Sequence, residues 1–230
     1  MNSNFYTNRL VHKPWGHEYV AYRDRDRLAI TFVKINKGQR TSLHCHPKKK
    51  TGFIILEGNA KVQVGIYKKN IKKYGSLSIL VLRPGLFHSL KAENKSGVMA
   101  LEFETPYKKN DLIRFQDKYG RENKKYEGKK FTNLLNSNYV KFKKPKLGVK
   151  LRYKFKNVEV VIEKKKNLKN FSKKDDKTSS AILDGNIVDK NGRKVISYGE
   201  IVKTNTLKIL AERFRIKNTL TILRVKRINT

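Results

Sequence analysis

From Tyr19 to Glu104 the apolar residues fall into short blocks separated by polar and turn-forming residues, with no stripe at the 3.6-residue spacing of a helix. The blocks RLAITFVKI (27–35), GFIILEG (52–58), AKVQVGIY (60–67), LSILVL (77–82) and GVMALEFE (97–104) are of strand length and rich in Val, Ile, Leu and Phe. Gly38, Gly58 with Asn59, Gly75, Pro84 with Gly85, and Gly97 punctuate them. Regularly spaced short strands with turn signals between them predict a mainly β sandwich or small barrel.

After Pro106 the pattern changes. The stretch YKKNDLIRFQDKYGRENKKYEGKK (107–130) is charged, offers Asp111 as an N-cap ahead of a short apolar run, and reads as an arm leaving the barrel. Residues 128–150, lysine-rich and weakly patterned, are the expected linker. Beyond it, KLRYKFKNVEVVIEKK alternates as one long strand, and FSKKDDKTSS (171–180) interrupts with a polar loop. ILDGNIVDKNGRKVISYGEIV predicts two strands joined at Asn191-Gly192. TLKILAERF sets Leu207, Leu210, Ala211 and Phe214 on one helical face behind Thr206 as cap, and LTILRVKR supplies a last strand. The expected organisation is residues 1–127 as a barrel with flanking arms, 128–150 as a basic linker, and 151–230 as a small α+β or β-rich module.

Composition narrows the function classes. Apolar residues are 38% of the 230, and their longest uninterrupted runs fall far short of the roughly 20 needed to span a bilayer. MNSNFYTNRLVHKPWG lacks the apolar core and small-residue cleavage site of a secretory signal, so a cytoplasmic location is expected. Cys45 is the only cysteine, which excludes an intrachain disulfide and a multi-thiolate zinc site. Neither GxGxxG nor a Walker loop occurs, which argues against nucleotidyl or phosphoryl transfer from a glycine-cradled nucleotide. A net charge of +35 invites a polyanionic partner, but 40 Lys against 14 Arg reads first as solvated lysine. Residues 128–230 carry a net +20, so contact with nucleic acid or an acidic membrane, the less favoured use of this charge, would belong there.

The five histidines are His12, His17, His44, His46 and His88. On a strand, His44 and His46 point to one face and Cys45 to the other, a spacing that supports coordination by the pair and packing by the cysteine. Around them the order is Gly38, five residues, His-x-His and an apolar strand into Gly58, followed by RPGLFHSLKAEN with His88 behind a Pro84-Gly85 turn.

Gly38–Gly58 resembles the first cupin motif and Gly75–Asn94 the second. KPWGHEYV (13–20) and NDLIRFQDKYGR (110–121) resemble the flanks of the cupin domain in type II mannose-6-phosphate isomerases, the domain elsewhere fused to mannose-1-phosphate guanylyltransferase. The four blocks cover residues 13–127, about half of the chain. The resemblance implies a double-stranded β-helix, or jelly-roll barrel, there, followed by the basic module. LDGNIVDKNGRKVISYGEIV bears a fainter likeness to a degenerate cupin half.

Carried onto this sequence, the resemblance makes His44, His46 and His88 ligands of a divalent metal, zinc first, with manganese, iron or nickel as alternatives. The pattern's glutamate, five residues after the second histidine, is replaced by Thr51. Glu102 or Glu104, which share a strand face, can supply a carboxylate instead, the bland alternative being a solvated face. The implied reaction is aldose–ketose isomerisation of a phosphorylated hexose in nucleotide-sugar or polysaccharide metabolism, with Glu102, Glu104 or His17 as proton-transfer base. Lys48, Lys49, Lys50, Arg83 and Arg114 are candidate phosphate contacts, and Trp15 a candidate sugar platform or a core residue. The competing reading is a non-catalytic sugar- or metal-binding cupin, and a homodimer is among the assemblies such a barrel admits.

Overall fold

The protein, represented by a computed structural model, is described over residues 3–169, 175 and 177–228. It divides into two compact units, Met1–Phe142 and Lys143–Thr230.

The first unit contains β1 (Arg9–Lys13), β2 (Gly16–Asp24), β3 (Leu28–Ile35), β4 (Leu43–Cys45), β5 (Lys50–Glu57) and β6 (Ala60–Val64). These are followed by β7 (Ile71–Tyr74), β8 (Ile79–Leu82), β9 (His88–Ala92), β10 (Val98–Thr105), β11 (Ile113–Gln116) and β12 (Thr132–Leu134). They form two antiparallel sheets, ordered β12-β1-β2-β3-β10-β5-β8 and β11-β4-β9-β6-β7. Val33, Ile35, Phe53, Ile55, Val98 and Ala100 from the first sheet meet Val62, Leu90 and Ala92 from the second in one buried cluster, as a jelly-roll barrel requires. Gly58 closes the β5–β6 turn at φ +82°. A Cβ there would lie 2.1 Å from the Gly97 carbonyl oxygen, so only glycine fits.

Strand parity explains how the barrel interior changes character. In β10, Val98 and Ala100 face the core cluster, and the same parity continues through Glu102 and Glu104. Across the sheet the register sets Ala100 beside Val33 and Ile55, Glu102 beside Thr31 and Phe53, and Glu104 beside Thr51. Toward the C-terminal end of β10 the inward row therefore turns from aliphatic to polar.

Two expectations need correction here. Residues 129–142 are not a linker: β12 pairs with β1, and the Phe142 amide donates to the Ala21 carbonyl at 2.7 Å with its ring buried. Asp111 caps no helix. Its carboxylate accepts from the Lys48 and Lys49 amides at 2.9 Å each, and the following residues form the edge strand β11.

The second unit is one antiparallel sheet of β13 (Lys150–Phe155), β14 (Val158–Lys165), β15 (Ser179–Val188), β16 (Lys194–Ser197), β17 (Ile201–Lys203) and β18 (Arg215–Arg227). With its single described helix, α1 (Thr204–Arg213), this is an α+β arrangement rather than a cupin half. The segment 150–165 is a hairpin, not one strand, because Lys156 takes φ 43° and reverses the chain at Lys156-Asn157. The Asn191-Gly192 hairpin forms as expected, with Gly192 at φ 79°. Helix α1 starts two residues before Thr206, and Leu207, Leu210, Ala211 and Phe214 pack on Ile182, Ile187 and Ile222. Of the polar loop expected over 171–180, residues 171–174 and 176 lie outside the described residues, and Ser179 and Ser180 already belong to β15.

Candidate metal centre and its cavity

Strand β4 and the start of β9 bring the three expected imidazoles together. His44 pairs in register with His88, and His46 follows one step beyond β4. Ring centroids lie 4.4 Å (His44–His88), 5.0 Å (His44–His46) and 5.4 Å (His46–His88) apart. One ligand atom from each ring falls within 4.8 Å of the other two.

Each Nδ1 is committed to a backbone carbonyl: His44 to Ser42 at 2.8 Å, His46 to Asp111 at 2.5 Å and His88 to Leu86 at 3.0 Å. A carbonyl only accepts, so each Nδ1 carries the proton and each Nε2 presents a lone pair. The Nε2 atoms of His46 and His88 are buried without a hydrogen-bond partner. Burial is the largest cause holding all three imidazoles below their ordinary pKa, His88 at about 4, so they stay neutral. Neutral imidazoles with outer nitrogens tied back and inner ones unsatisfied suit a divalent transition metal. Cys45, buried and with its thiol pushed up by desolvation, is packing as expected.

The His44 and His46 rings border a cavity of about 60 Å³. Trp15, Glu102 and Arg114, all singled out in the sequence, line it, and Trp15 also belongs to the core cluster. Glu102 Oε1 lies 4.0 Å from His46 Nε2. Burial, with the neighbouring Glu104 charge, raises its carboxyl to about 7. Arg114 donates to the carbonyls of Lys124 and Lys125, while its Nε is buried and unpartnered.

Other expected residues sit elsewhere. His17 projects from β2 on the face opposite Glu18, against Tyr139 and opposite His12, and does not line the cavity. Glu104 is fully buried and bonded on both oxygens, to Lys49 at 2.6 Å, Lys109 at 2.7 Å and Thr31 at 2.5 Å. Of the lysine run, Lys48 is exposed, Lys50 half-buried, and only Lys49 turns into the cavity. Arg83 is exposed and donates to the Pro84 carbonyl.

Sequence reasoning missed the charge network behind the rings. Lys109 Nζ donates to Glu18 at 3.3 Å, Thr31 at 3.0 Å and Glu104 at 2.7 Å. Lys13 bridges Glu18 and Glu127 and lies 3.8 Å from the Tyr126 ring centroid, while Tyr126 donates its hydroxyl to Glu18. Burial by itself raises the Glu18 carboxyl. Lys13 and Lys109 outweigh it and bring the group down to about 2. The signal for Glu18 was an acid at the head of the apolar run Tyr19–Tyr22, on the parity of Val20. For Lys109 and Tyr126 the sequence held none, since both lie in irregular segments placed by tertiary contacts.

Residues 2–117 match the family described as mannose-6-phosphate isomerase C-terminal. Mannose-1-phosphate guanylyltransferase of Escherichia coli (strain K12) is 26% identical over 116 residues, covering 50% of this chain and 23% of that protein. The chain thus spans about a quarter of that relative's length. Among solved structures, KdgF from Halomonas sp. matches with a TM-score of 0.37 at 14% identity, over 42% of this chain and 84% of its own. A protein with a double-stranded beta-helix domain from Klebsiella pneumoniae matches with a TM-score of 0.39 at 14% identity, over 51% and 91%.

Proposed function

The chain belongs to the mannose-6-phosphate isomerase C-terminal family, and from that membership we propose that its barrel is a metal-dependent site for aldose–ketose isomerisation of a phosphorylated hexose. The observation that carries the reading is the set of three neutral imidazoles, each with Nδ1 tied to a carbonyl and each with a ligand atom within 4.8 Å of the other two. His44, His46 and His88 would hold the ion, which supplies Lewis-acid polarisation of a carbonyl oxygen when bound.

The rest falls to residues of the chain. Glu102 lines the cavity and has no hydrogen bond among the described residues, so its carboxylate takes the proton from the carbon beside the carbonyl and returns it to the neighbouring carbon. The adjacent Glu104 cannot share this role because Lys49, Lys109 and Thr31 occupy it. Arg114, whose Nε is buried without a partner, offers that remaining donor to the phosphate, and Trp15 offers an apolar wall to the sugar. A cytoplasmic setting, where sugar phosphates are made and used, belongs to the same reading.

The test is interconversion of mannose 6-phosphate and fructose 6-phosphate by the full chain, loaded with zinc, manganese, iron or nickel in turn. Turnover that disappears on chelation and in His46→Ala is expected. A chain that holds one ion and interconverts no hexose phosphate would be a binding cupin instead.

A further inference from the structure

Five cationic side chains line the cavity, and four of them are each held by two or more groups of the protein itself. Lys109 has three acceptors for its three N–H groups, and Lys13 lies between Glu18, Glu127 and the Tyr126 ring. Arg121 is held by Asp117 and Glu127, and Arg114 by two carbonyls and Glu127 at 3.5 Å. Lys49 differs. It is 3% exposed, yet its Nζ makes one hydrogen bond among the described residues, to Glu104 Oε2 at 2.6 Å. An ammonium has three donors, so two remain.

Its surroundings show where those donors are useful. Two residues further on, Thr51 Oγ1 is buried without a partner, as is His46 Nε2. Glu102, without a hydrogen bond among the described residues, lines the cavity beside His46 and Lys49. Burying an ammonium with two unmet donors is costly unless a ligand supplies acceptors. Its neighbours Lys48 and Lys50 are exposed and half-buried, so the inward turn of Lys49 is particular to that residue.

We propose that Lys49 binds the second of two neighbouring ligand oxygens, the first being met by the three-imidazole centre, so that the site selects an α-hydroxy carbonyl or its enediolate. This deepens the isomerase reading and rests on it for the identity of the sugar, but not for the oxygen-pair chemistry. In isomerisation both oxygens carry developing negative charge in turn, and a fixed ammonium beside one matches a preorganised charge beside the other. Glu104, clamped by Lys109 and Thr31, keeps the Lys49 side chain from swinging out to water.

The test uses glycolate, which carries an α-hydroxyl beside a carboxylate and no phosphate, titrated calorimetrically into the zinc-loaded full chain. Lys49→Met is expected to weaken glycolate binding about 10- to 100-fold, the size of a charge-assisted hydrogen bond, with zinc content unchanged. Lys49→Arg should retain most of the affinity and Lys48→Met all of it. If Lys49→Met does not fold, the double variant Lys49→Met with Glu104→Gln removes both members of the ion pair and is compared in the same way. A folded, zinc-loaded variant without Lys49 that binds glycolate as the unaltered chain does, or an unaltered chain that binds none, overturns the proposal. Lys49-dependent glycolate binding in a chain that turns over no hexose phosphate would overturn the isomerase reading and leave the oxygen-pair site standing.

Discussion

Glu102 and Glu104 stand two residues apart on one face of β10, and the protein treats them in opposite ways. Glu104 accepts from two lysines and a threonine and is held well below the usual carboxylate range, while Glu102 accepts no hydrogen bond among the described residues and is raised to about 7. The two effects are linked. Lysines drawn in to neutralise Glu104 leave it as a fixed negative charge, and that charge adds to burial in opposing ionisation of its neighbour. Carboxyls driven apart in this way divide the labour between structure and proton transfer.

Glutamine substitution separates those roles. Glu102→Gln is expected to keep the fold and the bound ion but to lower kcat/KM on hexose phosphate by about 10² to 10⁴, the usual contribution of a positioned base. Glu104→Gln leaves Lys49 and Lys109 short of their shared counter-charge inside the barrel. It should cost about 3–5 kcal/mol of stability, read from urea denaturation. Equal stability of the two variants would contradict the division.

Metal content is the second measurement. The full chain, purified without chelator, should carry one equivalent of a divalent transition metal by elemental analysis. His44→Ala, His46→Ala and His88→Ala should each lose most of it, whereas His17→Ala, outside the cavity, should keep it. Loss from His17→Ala as well would mean that the ion sits elsewhere.

Acid stability follows from Glu18 and Glu104. Both have folded-state pKa values below the ordinary 4.5, Glu18 at about 2, so the folded protein binds these protons less readily than the unfolded chain does. Their stabilisation is complete above about pH 4.5 and is lost as pH falls toward 2. The urea midpoint of the first unit should drop steeply across that window, and Glu18→Gln, less stable at neutral pH, should show a shallower drop. An unchanged slope would remove Glu18 from the account.

The sequence was most legible where parity and punctuation act locally. The blocks at 27–35, 52–58 and 97–104 became β3, β5 and β10 because alternating or continuous apolar runs between polar and turn-forming residues leave few other solutions. His44 and His46 share a face by the two-residue period of a strand, but their meeting with His88 needed the resemblance to a known barrel, since local pattern cannot pair β4 with β9. Which lysine of the run at 48–50 turns inward was hidden as well. The choice depends on the Asp111 carboxylate binding the Lys48 and Lys49 amides from 62 or more residues away. The span 150–165 misled because its alternation is unbroken through Lys156, and only a left-handed φ, which sequence seldom announces for lysine, reverses it.

Thr51, where the family pattern has glutamate, gives the last prediction. Its side chain is 1% exposed, its Oγ1 has no hydrogen-bond partner, and it stands opposite Glu104 in the β5–β10 register. A buried hydroxyl without a partner keeps its desolvation penalty, so isosteric Thr51→Val should stabilise the ligand-free protein by about 1 kcal/mol. Thr51→Glu, although it restores the pattern, should destabilise it, because the new carboxylate would face Glu104 directly across the ladder, two like charges at paired positions. Denaturation of both variants against the unaltered chain decides the matter. A more stable Thr51→Glu protein with tighter metal binding would show that the site still has room for the glutamate, and that Glu102 had not taken over its place.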